Sequence, residues 1–108
     1  MTHSTHGHPL VDEVVDRIVT LFSPKMVIVY GPAAYGIVSE DFDLDLLVVM
    51  ETDLPYFQRA ARMYYELSRC TLYKSIRVLT PREFDYAKTD PYSHTSMVMR
   101  TGKVVYGS

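Results

Sequence analysis

The sequence has no tryptophan and a single cysteine, Cys70. One cysteine excludes an intramolecular disulfide. Cys70 falls in a helical apolar pattern, which reads as a small buried hydrophobe, and no catalytic cysteine signature surrounds it. No apolar run reaches the length of a membrane span. Met1 to Pro9 lack the basic-then-apolar order of a signal peptide, so a cytoplasmic location without a membrane partner is expected. An excess of basic charge is also missing: 11 Lys and Arg stand against 13 Asp and Glu, for a formal net charge of -2. That balance argues against a basic groove for nucleic acid. There is no internal repeat and no low-complexity segment.

What remains is the make-up of one globular domain, with 108 residues, 47% of them hydrophobic and 22% charged. Residues 1–9 read as a flexible polar arm in which nothing fixes His3, His6 and His8 as metal ligands. Residues 10–108 read as a single domain. Leu10, Val11, Val14, Val15, Ile18, Leu21 and Phe22 recur at helical spacing, with Asp12, Glu13, Asp16 and Arg17 on the opposite face, and Ser23-Pro24 ends the helix. Met26 to Tyr30 and Leu44 to Met50 are short apolar runs and read as buried strands. Between them Gly31 to Gly36 forms a loop or the opening of a short helix. A long helix is predicted after Asp53 as N-cap, with Phe57, Ala60, Ala61, Tyr64, Leu67 and Cys70 as its apolar stripe. Arg59, Arg62, Glu66 and Arg69 face water in that reading. Ser75 to Thr80 is a third strand, and Thr80-Pro81-Arg82-Glu83 has the order of a capping box that starts a short helix. A further helix opens at Asp90-Pro91 and ends at Gly102, and Val104 to Tyr106 forms a last strand. The order predicts an α/β (α+β) domain with a small mixed sheet and helices on one or both faces.

The chemistry lies in Asp43 and Asp45. At i and i+2 along a strand they point the same way, and two acids on one face repel unless a cation or donors lie between them. Hard oxygen ligands of this kind suit Mg²⁺, which keeps several waters and takes substrate phosphates as its remaining ligands. That is the requirement of phosphoryl or nucleotidyl transfer. Gly31 and Gly36 lie just upstream, and glycines let backbone N–H groups approach phosphate oxygens closely. Asp-x-Asp alone is a weak signal, and the strand and glycine context is what raises it.

The stretch from Val27 to Val49 resembles the minimal nucleotidyltransferases of the DNA polymerase β superfamily. Their pattern is an apolar strand, Gly-Ser, a further Gly, then Ser-Asp-x-Asp-Leu and another apolar strand. The spacing from Gly31 through Gly36 to Asp43 and Asp45 matches without a gap, and the flanks through Tyr106 are also similar. The resemblance implies a palm-like mixed-sheet fold, Mg²⁺ on Asp43 and Asp45 as catalytic residues, and a nucleoside triphosphate held at Gly31, Pro32, Tyr35 and Gly36. Some members are antitoxins that nucleotidylate a small helical toxin. The sequence departs from the pattern at Pro32, where the family has serine, at Ala33, where a basic residue is common, and at Phe42. The family's third carboxylate aligns with Ser75, and no acid lies between Lys74 and Thr80. Arg77 shares the Ser75 face and is a candidate ion-pair partner for the aspartates, while Glu40, Asp41, Glu51 and Glu83 are candidate replacement ligands.

Two readings follow. In the first, the chain is an Mg²⁺-dependent nucleotidyltransferase acting on a protein or small acceptor. In the second, it is a degenerate member of the fold that works by binding, as an antitoxin-type partner or by homo-oligomerisation. Tyr35 can stack on a nucleobase or cap its loop. Tyr56, Tyr65, Tyr73 and Tyr92 suit an exposed partner surface. His94 reads as a surface or partly packed histidine rather than a catalytic base.

Overall fold

A computed structural model describes residues 8–39 and 43–107. The first seven positions of the predicted arm, together with Glu40, Asp41 and Phe42, lie outside the described residues.

Helix α1 spans Pro9–Phe22. Pro9 supplies a helix-ready φ, and the His8 side chain accepts from the Leu10 N–H at 3.2 Å. Ser23 adopts a left-handed conformation (φ 47) and returns its N–H to the Val19 carbonyl at 3.1 Å. Val11, Val14, Val15 and Ile18 are fully buried. Asp12, expected on the wet face, is only 9% exposed, and its Oδ1 has no hydrogen-bond partner among the described residues. It sits one residue round from Val11, on the flank of the apolar stripe that packs onto the sheet. Leu10 and Leu21, at the ends of the stripe, stay partly exposed.

Four strands, β1 (Met26–Tyr30), β2 (Leu44–Val49), β3 (Lys74–Leu79) and β4 (Lys103–Gly107), form one mixed sheet in the order β3-β2-β1-β4. The β1 strand is antiparallel to β2 and β4, and β2 is parallel to β3. Parallel neighbours need a crossover, and helix α2 (Arg59–Glu66) provides it. The alternation of the strands builds two cores. Val27, Val29, Leu46, Val48, Ile76 and Val78 pack against α1 and α2. Met26, Ile28, Leu47, Val49 and Leu79 pack against Phe84 of helix α3 (Pro81–Ala87) and Val98 of helix α4 (His94–Thr101). The sheet is therefore covered on both faces. Among the described residues no helix is long and apolar enough to cross a membrane.

The capping box at α3 forms as expected: Glu83 N–H donates to Thr80 Oγ1 at 3.2 Å, and Thr80 N–H donates to Glu83 Oε1 at 2.9 Å. Helix α2 differs from expectation. Asp53 does not cap it. The Leu54 N–H goes to the Thr52 hydroxyl, Pro55 is extended, and a 3-10 turn over Tyr56–Gln58 precedes Arg59. The helix buries Met63 with Ala60 beside it and ends at Glu66, so Leu67 and Cys70 are buried just beyond it, whereas Phe57 is 93% exposed and Ala61 is exposed. Two stripes overlap in this sequence, and Met63 decides for the second. Arg59 does not face water. Its Nη1 and Nη2 reach Glu83 at 2.6 and 3.2 Å, and it also donates to the Leu54 and Val78 carbonyls. On the same outer margin of β3, Ile76 N–H donates to the Tyr64 hydroxyl at 2.7 Å. Helix α4 opens at Ser93, whose Oγ accepts from Ser96 N–H at 3.0 Å. The expected opening at Asp90 is instead a turn, in which Asp90 accepts from Tyr92 N–H.

Candidate functional site

The chain leaves β1 at Tyr30 and enters a 3-10 turn, Gly31–Tyr35, closed by Gly36. Ala33 and Ala34 are buried in the core under α1 and anchor the turn. Gly36 N–H donates to the Ala33 carbonyl and Ile37 N–H to the Pro32 carbonyl, both at 3.1 Å. Gly31 and Gly36 have φ of 70 and 84, in the left-handed region that glycine enters at little cost. At Gly31 glycine is required for a second reason. A β-carbon there would collide with Asp45 Oδ2, so the carboxylate rests directly on the Gly31 backbone. Pro32 is half-buried, and Tyr35 is 68% exposed on the turn.

Antiparallel pairing fixes this contact. Asp45 lies opposite Tyr30, one residue before Gly31. Asp43 is exposed just ahead of β2 and Asp45 is half-buried within it. Burial, and then the charge of Asp43, raise the Asp45 carboxyl above its ordinary value, while His94 acts against them. Asp45 therefore feels the charge of Asp43 while its carboxylate lies against the glycine turn.

Across β2, the parallel register sets Ser75 opposite Asp45 and Arg77 opposite Leu47. Ser75 is exposed, and this face of β3 carries no acid. Among the described residues no group of three or more His, Cys, Asp and Glu could hold a metal. Glu83 is occupied by Arg59 and by the Thr80 cap, and Glu51 follows the far end of β2. Asp45 on β2 and Asp43 just ahead of it are the carboxylates that a single Mg²⁺, completing its shell with water and phosphate oxygens, would call on here.

Arg77 does not pair with the aspartates as expected. Its Nε donates to the Tyr56 hydroxyl at 2.8 Å, its Nη1 contacts His94 Nδ1, and its guanidinium lies 5.9 Å from the centre of the Tyr56 ring. The His94 ring meets the Tyr30 ring edge-on at 5.3 Å. Burial, followed by the Asp45 charge, pushes the Tyr30 hydroxyl up, and burial, followed by Arg77, pushes His94 down. Sequence reasoning missed the roles of His94, Tyr30 and Tyr56 here. They come from α4, β1 and the turn before α2, and no local spacing links them.

Elsewhere, Tyr56, Tyr65, Tyr73 and Tyr92 are all exposed, at 40, 78, 70 and 94%. Cys70 is a buried free thiol pushed up by burial and by Glu13, in keeping with a packing role.

No protein-family model matches the sequence, and no curated protein is significantly similar to it. The fold has solved counterparts. One is a chain in a crystal structure described as a toxin–antitoxin with AMP-PNP, with 13% identity and a TM-score of 0.51, covering 89% of this chain and 73% of that one. Another comes from a tri-AMPylated Shewanella oneidensis HEPN toxin in complex with an MNT antitoxin, with 11% identity and a TM-score of 0.48, covering 92% of this chain and 71% of that one. The first likeness concerns the fold alone, and it agrees with the order of elements: the chain is a mixed α+β domain with the fold of that solved chain.

Proposed function

We propose that the chain binds a Mg²⁺–nucleoside triphosphate complex at Asp43 and Asp45 and transfers its nucleotidyl group to a hydroxyl of a small helical, toxin-type protein, the hydroxyl oxygen bonding to the α-phosphorus as pyrophosphate leaves and its proton passing to solvent. The observation that carries this reading is the seating of the Asp45 carboxylate on Gly31, with Asp43 beside it. Mg²⁺ at this pair would neutralise charge building on the phosphate oxygens during in-line displacement. Asp43 and Asp45 would hold the cation. Gly31 keeps Asp45 in place, and the Gly31–Gly36 turn offers backbone to the phosphates without bulk. Tyr35, exposed on that turn, is placed to stack on the base. The context of the first structurally similar chain, a toxin–antitoxin with AMP-PNP, supports a toxin-type protein as the acceptor.

A second reading is favoured by β3, where Ser75 and Arg77 occupy the face that would carry a third acid. In it the site binds nucleotide, and the chain neutralises its partner by binding alone. One experiment separates the two: incubation with labelled ATP, Mg²⁺ and a toxin-type partner encoded beside it. Label on the partner that is lost with Asp45→Asn supports transfer. A stable complex that carries no label and tolerates Asp43→Asn with Asp45→Asn supports binding alone. Absence of both label and complex overturns the proposal.

A further inference from the structure

The loop that should grip the phosphates is poor in donors. Pro32 has no N–H, and Ala33 is apolar and buried. Donors lie on the other side of Asp45 instead. Arg77 is held at two points, by the Tyr56 hydroxyl on Nε and by His94 on Nη1, and among the described residues Nη2 keeps two N–H groups with no protein acceptor. Because His94 Nδ1 accepts from a guanidinium, which is always a donor, the neutral ring carries its proton on Nε2. The edge-on Tyr30 ring fixes the plane of the imidazole. Neither group is ion-paired to Asp45, although His94 lies close enough to affect its carboxyl.

The geometry points to Arg77 and His94 as an anion-binding pair that takes the polyphosphate chain of a nucleoside triphosphate whose cation sits on Asp43 and Asp45. This rests on the proposed reading of the two aspartates. A guanidinium matches phosphate oxygens in a fixed fork, and its two anchors remove most of the entropy cost of ordering a long side chain. The carboxylates and the donors are then complementary: one side takes the cation, the other takes oxygens the cation leaves free. The positive charge of Arg77 from β3 and the neutral N–H donor of His94 from α4 do the work that a serine and a basic residue in the loop would otherwise do.

The test is calorimetric titration of Mg²⁺·ATP, and separately of Mg²⁺·tripolyphosphate, into the full chain and into Asp45→Asn, Arg77→Gln and His94→Phe. The last variant keeps an aromatic ring against Tyr30 and removes both nitrogens. Loss of a charge-assisted hydrogen bond should raise Kd about tenfold or more for both probes in Arg77→Gln, and by a smaller factor in His94→Phe. Should Arg77→Gln fail to fold, His94→Phe decides alone. If the native chain binds, Asp45→Asn abolishes binding, and the folded Arg77 and His94 variants bind as tightly as the native chain, the anion pair is refuted while the carboxylate reading stands. If the native chain binds neither probe, both are overturned.

Discussion

Replacing Gly31 by alanine tests the link between the turn and the acids. Two costs arise at once. The backbone has φ of 70, where an L-residue with a β-carbon is less stable by about 1–2 kcal/mol. The new methyl also occupies the space of Asp45 Oδ2, so the carboxylate must swing away. Gly36→Ala is the matched control, because φ there is 84 but an added β-carbon meets nothing within 4 Å. Gly36→Ala should lose about 1–2 kcal/mol, which for a domain of this size lowers Tm by about 5–10 °C, and Gly31→Ala should lose at least as much because the collision with Asp45 adds to the backbone cost. Only Gly31→Ala should also disturb the site. Its Asp45 carboxyl, no longer buried as before, should titrate at a lower pH than in the native chain, as followed by carboxyl-carbon NMR. The stabilisation given by Mg²⁺·ATP in a thermal scan should shrink for Gly31→Ala and persist for Gly36→Ala. Equal behaviour of the two variants in the carboxyl titration would refute the claim that Gly31 seats Asp45.

Other outcomes follow from individual residues. Asp45→Asn should make the free protein more stable near neutral pH while removing Mg²⁺ binding. Burial and Asp43 raise the folded-state value of this acid, so the protonated form stabilises the fold and that contribution fades as pH rises through it; urea titrations at two pH values would show the change. Glu83 behaves in the opposite sense. The Arg59 guanidinium and the Thr80 N–H hold it down to about 2, so its contribution is complete above its ordinary value of 4.5 and falls as pH drops from there toward 2. Glu83→Gln should cost about 1 kcal/mol near neutrality, discounted for the 42% exposure of that side chain, and flatten the acid limb of a stability–pH curve. Met63→Ala, at a site 1% exposed, should cost about 2–5 kcal/mol by urea unfolding. Cys70 should react slowly with a thiol reagent until the chain unfolds.

Where local chemistry was strong, the sequence announced the structure. The β-branched run of β1, the Thr80–Glu83 cap and the Ser23-Pro24 stop each depend on neighbours within four residues, and each forms where expected. The seating of Asp45 beside the glycine turn was legible for a related reason, since β1 and β2 flank that turn and pair directly. Helix α2 was read less well because its competing stripes differ by tertiary contact, and only packing against the sheet puts Met63 inside. Asp12 is buried by the same kind of contact. Arg77 was misassigned because its partners, Tyr56 and His94, lie 21 and 17 residues away in opposite directions along the chain. Strand phase gave the face of Arg77 but not which neighbour on that face would claim its donors.

The two margins of the sheet are not equivalent. Along β3, Tyr64 takes the outward N–H of Ile76, and Arg59 takes the outward carbonyl of Val78. These side chains act as a hem: they occupy backbone positions that a foreign strand would need for a ladder, and so protect the half of the sheet next to the aspartates from unwanted addition. Strand β4 carries no such hem from α2, so any lengthening of the sheet by a second copy would start from Lys103–Gly107, across β1 and β2 from β3, and would leave the Ser75–Arg77 face open.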